Sequence, residues 1–127
     1  MKKVLVIEDD EPLCILLAKI LSKQYQVVIM NNGLEAWGWL TDGNRPDAIV
    51  SDINMPLLDG FELLEHLSNS GLFKDIPVIM LSGVKDAIKR DECLRLGAQA
   101  FLQKPFEPRI LLETIGSILN PNKKVHA

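Results

Sequence analysis

The fold is indicated most clearly by DAIVSDINMP, residues 47–56. Apolar residues 48–50 lead to Asp52, and Pro56 stops a strand from continuing through the loop that follows. A continuous apolar run is typical of a parallel strand that is covered on both faces. The carboxylate of Asp52 is therefore expected where a buried strand emerges.

The same pattern occurs three more times, with polar residues that follow short apolar runs. These residues are Glu8 and Asp9 after residues 4–7, Ser82 after 78–81, and Lys104 after 100–102. Carboxyl ends of parallel strands share one edge of an open sheet, and ligands bind at that edge. We therefore expect all these side chains to surround one site.

Apolar runs alternate with amphipathic segments, which predicts an α/β fold built from βα units. Strands are expected near 3–8, 26–30, 47–51, 77–81 and 100–103, and helices near 11–22, 33–41, 59–69, 84–96 and 107–119. In the first helix, the spacing predicts a core stripe of Leu13, Leu16, Leu17, Ile20 and Leu21. The 127 residues fit one domain, expected over 1–120, with a short polar C-terminal tail at 121–127.

Composition excludes several classes of function. The 14 Lys and Arg residues against 17 Asp and Glu residues give a net charge of −3, which argues against direct nucleic-acid binding. No apolar run is long enough for a signal peptide or a membrane helix, so we expect no membrane contact and a cytoplasmic location. Cys14 and Cys93 lack metal-site spacing and are expected to be reduced thiols in or near the core.

Three clustered carboxylates, from Glu8, Asp9 and Asp52, would repel one another and need a cation. Oxygen ligands and retained water suit Mg²⁺. The alternative for the first strand end is that Asp9 and Asp10 simply cap the following helix. Asp52 fits a nucleophile toward phosphoryl groups, since aspartate forms acyl phosphates, with Lys104 as a second cation and Ser82 as a hydroxyl donor.

Four segments, at residues 4–10, 47–60, 77–83 and 97–106, resemble the receiver domain of two-component response regulators. The resemblance covers nearly the whole chain. It implies a flavodoxin-like, doubly wound (βα)5 three-layer sandwich whose parallel five-stranded sheet has the order 2-1-3-4-5. It also implies a stand-alone receiver, unless an output domain follows Ala127.

The resemblance assigns roles to particular residues. Asp52 would be the phosphoacceptor, and Mg²⁺ would be bound by Glu8, Asp9, Asp52 and the Asn54 carbonyl. Ser82 and Lys104 would hold phosphoryl oxygens, and Ser82 and Phe101 would form the switch. A cis peptide would precede Pro105. The switch would act on the face made by the fourth helix, fifth strand and fifth helix. Phe101 replaces the frequent Tyr and offers no phenolic hydroxyl, and Gln99 and Ala100 replace acidic residues common in DNA-binding regulators.

By resemblance, the phosphoryl donor is a sensor histidine kinase or a histidine phosphotransfer protein, and the output is binding to an unknown downstream protein. Such a phosphorelay module is not an enzyme, apart from catalysing its own phosphorylation and dephosphorylation. Two alternatives remain open. One is a metal-dependent phosphohydrolase with an aspartyl nucleophile, and the other is a flavodoxin-like cofactor binder.

Overall fold

The computed structural model describes residues 1–83 and 87–120 and contains five strands that alternate with five helices. The strands are β1 (Lys3–Ile7), β2 (Gln26–Met30), β3 (Ala48–Asp52), β4 (Val78–Ser82) and β5 (Ala100–Gln103). The helices are α1 (Glu11–Leu21), α2 (Gly33–Thr41), α3 (Gly60–Ser68), α4 (Ala87–Arg95) and α5 (Pro108–Leu119).

All strand pairs are parallel, and the sheet order is β2-β1-β3-β4-β5. The predicted fold class and strand order are therefore confirmed. Residues 84–86, where the fourth helix was expected to begin, and the expected tail at 121–127 lie outside the described residues. Within the described ranges, no helix has the length and apolarity needed to cross a bilayer.

Alternation along the central strands divides the core between the two faces of the sheet. Val4 and Val6 on β1 pack in a cluster that includes Leu17 of α1 and Leu111 of α5. Leu5 and Ile7 belong to the other cluster, with residues of α2, α3 and α4. Because helices cover both faces, β3 and β4 are buried throughout, as expected for continuous apolar strands.

The predicted core stripe of α1 is wrong at one position. Leu17 and Leu21 are buried, but Leu16 is 45% exposed, and Cys14 is buried instead. Helical periodicity identifies residues that share a face, but the width of the covered stripe depends on the neighbouring elements. Here α5 lies beside α1 without reaching over Leu16, which lines a surface groove.

Close backbone packing beneath the site requires glycine at position 60. The Gly60 N–H donates to the Ile53 carbonyl at 2.8 Å, which ties the start of α3 to the residue after Asp52. A Cβ on Gly60 would overlap the Asp52 carbonyl oxygen and crowd the Ile53 Cα. The loop from β3 to α3 can therefore close tightly around Asp52 only because this residue lacks a side chain.

Gly60→Ala should lower the free energy of unfolding by about 1–3 kcal/mol, the usual cost of overpacking, because the backbone must move. Gly38→Ala is the matched control, since nothing lies within 4 Å of a Cβ there and the residue is inside α2. That control should gain up to about 1 kcal/mol from helix propensity. Urea unfolding measures the free energy of unfolding of both variants. A Gly60→Ala protein as stable as the wild type would contradict the close packing at Gly60.

Candidate functional site

An acidic cluster forms where β1 and β3 end side by side. Ile7 lies opposite Ser51 in the parallel register, so Glu8 and Asp52 come next on adjacent strands. One carboxylate oxygen each from Glu8, Asp9 and Asp52 lie within 4.8 Å of one another. Glu8 and Asp52 are buried, whereas Asp9 is exposed. The structure thus brings together the three carboxylates that the sequence placed at strand ends.

Lys104 supplies the cation of the cluster. Its Nζ lies 3.0 Å from Glu8 Oε1 and 3.3 Å from Asp52 Oδ2. Because β4 separates β5 from β3, the side chain reaches across the end of β4. The Lys104 N–H also donates to the Ser82 carbonyl at 2.7 Å, which fixes the main chain from which the ammonium extends.

Burial and ion pairing shift the pKa values of this pair. Burial raises the pKa of the Glu8 carboxyl, and the hydrogen bond from Lys104 opposes this only in part. Burial lowers the pKa of Lys104, but the hydrogen bond to Glu8 and the charge of Asp52 together outweigh it, so the net pKa is raised. Glu8 is therefore costly to ionise without a cation beside it, and Lys104 stays charged at neutral pH.

The structure separates the two interpretations of the run from Glu8 to Asp10. Asp10 is the N-cap of α1, and its Oδ2 accepts from the Leu13 N–H at 3.0 Å. Asp9 does not cap the helix but joins the acidic cluster. Helix capping thus accounts for Asp10 and leaves Asp9 for the site.

The remaining predicted positions lie around the same edge of the sheet. Ser82 is buried one residue beyond Leu81, which pairs with Asp52. Asn54 is exposed in the loop after β3. Phe101 lies opposite Met80 and packs, half-buried, against the core on the α4 side. The peptide bond between Lys104 and Pro105 is cis.

Sequence reasoning missed two residues that contact the cluster. Cys14 Sγ donates to the Glu8 carbonyl at 3.0 Å, and Asn31 Nδ2 approaches the same oxygen at 3.4 Å. Burial raises the pKa of the Cys14 thiol, and the acidic residues around it raise it further, so the thiol keeps its proton. Cys14 was expected only as a thiol in or near the core. A signal for Asn31 was its position directly after β2, the strand beside β1.

The donor set fits a hard divalent cation. The cluster offers carboxylate oxygens only, and three carboxylates with one ammonium leave a net charge of −2 when all are ionised. Mg²⁺ binds through a few carboxylates while it retains water, and the exposed Asp9 leaves one side of the cluster open to solvent. Glu8, Asp9 and Asp52 are the side chains that would hold it.

The family model of the response regulator receiver domain matches residues 4–116, and so includes every residue of the cluster. This chain belongs to the response regulator receiver family. A relative, response regulator MprA of Mycobacterium sp. (strain KMS), is 35% identical over 118 residues, which cover 92% of this chain and 50% of that protein. The chain spans about half the length, or less, of the curated relatives it matches.

Solved receiver structures share the fold. The signal receiver domain of a signal transduction histidine kinase from Syntrophus aciditrophicus has a TM-score of 0.88 and 32% identity, and the match covers 98% of this chain and 94% of that one. Chemotaxis protein CheY4 of Vibrio cholerae has a TM-score of 0.85 and 32% identity, with 94% and 99% covered. The receiver assignment places the chain in two-component signalling and disfavours the phosphohydrolase alternative.

Asp9→Asn should weaken Mg²⁺ binding without loss of the fold, because Asp9 is exposed and contributes only its charge and oxygen. At a Mg²⁺ concentration about 100 times the wild-type dissociation constant, binding should raise the free energy of unfolding by about 2.7 kcal/mol. A hundredfold loss of affinity would leave about 0.4 kcal/mol of that gain.

Thermal unfolding with and without MgCl₂ measures this effect. Asp10→Asn is the matched control, since it removes a neighbouring charge but keeps an oxygen that can cap α1. The control should retain the Mg²⁺ response of the wild type. If Mg²⁺ stabilises the Asp9→Asn protein as much as it stabilises this control, Asp9 is excluded as a metal ligand.

Proposed function

We propose that this receiver accepts a phosphoryl group on Asp52 from a phosphohistidine of a sensor kinase or phosphotransfer protein. One observation carries the proposal: the buried Asp52 carboxylate lies in a cluster with Glu8 and Asp9 and 3.3 Å from the Lys104 ammonium. A nucleophilic carboxylate flanked by cationic binding groups is the arrangement that phosphoryl transfer requires.

In the transfer step, an Asp52 carboxylate oxygen forms a bond to phosphorus while the bond from phosphorus to the donor imidazole nitrogen breaks. The bonding electron pair remains on that nitrogen, which takes up a proton. The product is an acyl phosphate, which water later hydrolyses to restore the carboxylate. The chain thus catalyses only its own phosphorylation and dephosphorylation.

The surrounding residues bind and orient the phosphoryl group. Asp52 Oδ1 accepts from the Ile53 N–H at 2.9 Å, which holds the carboxylate plane. Lys104 can exchange its carboxylate partners for phosphoryl oxygens, and the Ser82 hydroxyl supplies a further donor. Bound Mg²⁺, held by Glu8, Asp9, Asp52 and the Asn54 carbonyl, would neutralise charge on the transferring group.

Incubation with Mg²⁺ and a small acyl phosphate should add one phosphoryl group to the wild-type chain, seen by intact mass spectrometry and lost at alkaline pH. Asp52→Asn should gain none, because an amide cannot act as the nucleophile. Asp10→Asn serves as the control and should be phosphorylated like the wild type. A labile adduct on the Asp52→Asn protein would show that the nucleophile lies elsewhere.

A groove beside the acidic cluster is our candidate for contact with the donor protein. Its volume is about 440 Å³, and its lining is Asp10, Pro12, Leu13, Leu16, Lys104, Pro105 and Phe106. The groove shares Lys104 with the cluster, so a donor protein bound there would lie beside the residues that surround Asp52. Exposed Ile15 and Leu16 extend the apolar surface along α1.

Leu16→Glu should slow transfer from a histidine-phosphorylated protein that phosphorylates the wild type, since a charge in an apolar interface is costly. Phosphorylation by the small acyl phosphate should be unchanged, because that donor needs no docking surface. Leu72→Glu is the control, because Leu72 is also an exposed leucine (70%). It lies after α3 and does not line the groove. Equal slowing with both donors would place the defect in the site instead of the docking surface.

The effect of phosphorylation at Asp52 would reach the partner-binding face through Ser82 and Phe101. Ser82 lies at the end of β4, and Phe101 packs against the core beside α4, so rearrangement at one can reach the face of α4, β5 and α5. A switch of this kind shifts populations of existing states and thereby changes affinity for a downstream protein.

The free thiols of Cys14 and Cys93 are consistent with the reducing cytoplasm, where we place the phosphorelay.

A further inference from the structure

The carbonyl oxygen of Glu8 is held by side chains from two separate elements. Cys14 Sγ reaches it from α1 at 3.0 Å, and Asn31 Nδ2 from the loop between β2 and α2 at 3.4 Å. Asn31 is itself anchored, because its N–H donates to Glu35 Oε1 at 3.0 Å. A short chain of hydrogen bonds thus runs from α2 to the acidic cluster.

This carbonyl belongs to the peptide unit that joins Glu8 to Asp9. A peptide unit is planar, so holding its oxygen restrains the orientation of the plane that contains the Glu8 and Asp9 Cα atoms. On the other side of Glu8, its N–H donates to the Met30 carbonyl at 3.0 Å. The main chain is therefore held both before and after the Glu8 Cα.

The effect should be greatest at Asp9. Glu8 has direct side-chain partners, since Lys104 Nζ and the Asp10 N–H both donate to its carboxylate. Asp9 is exposed, so fewer neighbouring groups restrain its carboxylate than restrain that of the buried Glu8. The Glu8–Asp9 peptide unit carries the Asp9 Cα, so its orientation limits where the Asp9 carboxylate can lie.

We propose that Cys14 and Asn31 are positioning residues that restrain the Glu8–Asp9 peptide unit, limit where the Asp9 carboxylate can lie, and so raise the affinity of the acidic cluster for a divalent cation. The inference rests on the cation site of the proposed function and adds two residues to it. Groups that orient metal ligands commonly change metal affinity by about 10–100-fold when they are lost. Because these two act through a backbone carbonyl, the lower end of that range is expected.

The test is calorimetric titration of the full chain with MgCl₂ at neutral pH under reducing conditions. Cys14→Val and Asn31→Ala should each bind Mg²⁺ roughly tenfold more weakly than the wild type. Cys14→Ser should recover most of the affinity, because a hydroxyl can again donate to the Glu8 carbonyl. The double variant Cys14→Val, Asn31→Ala should bind more weakly than either single variant.

Two substitutions control for the loss of a thiol or an amide elsewhere. Cys93→Val removes the other buried cysteine, which lies in the core on the α4 side. Asn44→Ala removes an amide that donates to the Trp39 carbonyl at 2.9 Å, away from the cluster. Both should keep the wild-type Mg²⁺ affinity, even where they change the midpoint of urea unfolding.

If Cys14 and Asn31 only stabilised the fold, their loss would not specifically change the main chain at Asp9 in the metal-free protein. Amide NMR shifts of Asp9 and Asp10 without Mg²⁺ should therefore move in Cys14→Val and Asn31→Ala and return toward wild type in Cys14→Ser. If both loss variants bind Mg²⁺ like the wild type, the inference is overturned, whatever their stability. Asn31 is exposed, so Asn31→Ala keeps the test decisive even if Cys14→Val does not fold.

Failure of the inference and failure of the proposed function give different results. If the wild type binds Mg²⁺ and Asp9→Asn does not, unchanged Cys14 and Asn31 variants overturn only the positioning role. If the wild type takes up no Mg²⁺, the cation site itself is absent, and both proposals fall.

Discussion

Two buried carboxylates on adjacent strands, with a third beside them, impose the electrostatic constraint on which the rest of the site depends. At 4.8 Å, the upper limit of their separation, two negative charges repel by about 3.5 kcal/mol for an effective dielectric near 20. Lys104 offsets part of this repulsion through its contacts with Glu8 and Asp52. The remaining negative charge makes the edge of the sheet a place for a divalent cation and, with it, a phosphoryl group.

The fold can hold this charge because strand pairing and close packing constrain the backbone around it. Helices cover both faces of the sheet, so β1 and β3 end in fixed register with Glu8 and Asp52 side by side. The loop after β3 packs tightly onto Asp52 because Gly60 has no side chain to obstruct it. Packing thus keeps the carboxylates close despite their repulsion.

Several elements connect the cluster to surfaces where a partner could act. Lys104 belongs both to the cluster and to the groove along α1, and its N–H bonds the carbonyl of Ser82 on β4. Cys14 and Asn31 link the Glu8 carbonyl to α1 and to the loop before α2. A change of charge at Asp52 can therefore affect three neighbouring elements, α1, β4 and the loop before α2, through a small number of contacts.

Much of this could be predicted from the sequence, because strand and helix periodicities differ and polar residues at the ends of apolar runs must share one edge of a parallel sheet. Glu8, Asp9, Asp52 and Lys104 could therefore be placed at one edge of the sheet from the sequence, and the structure brings them together there. The contacts of Cys14 and Asn31 with the Glu8 carbonyl could not be predicted, since both side chains have ordinary structural uses and only packing brings them to one oxygen.

The order of the elements and the residue types at the strand ends follow from the amino-acid sequence alone. Packing in three dimensions determines that Asp10 caps α1 while Asp9 joins the cluster, and that Leu16 faces a groove instead of the core. The physical reason is that periodicity and residue type are local properties, whereas burial and hydrogen bonding depend on how far neighbouring elements extend in space.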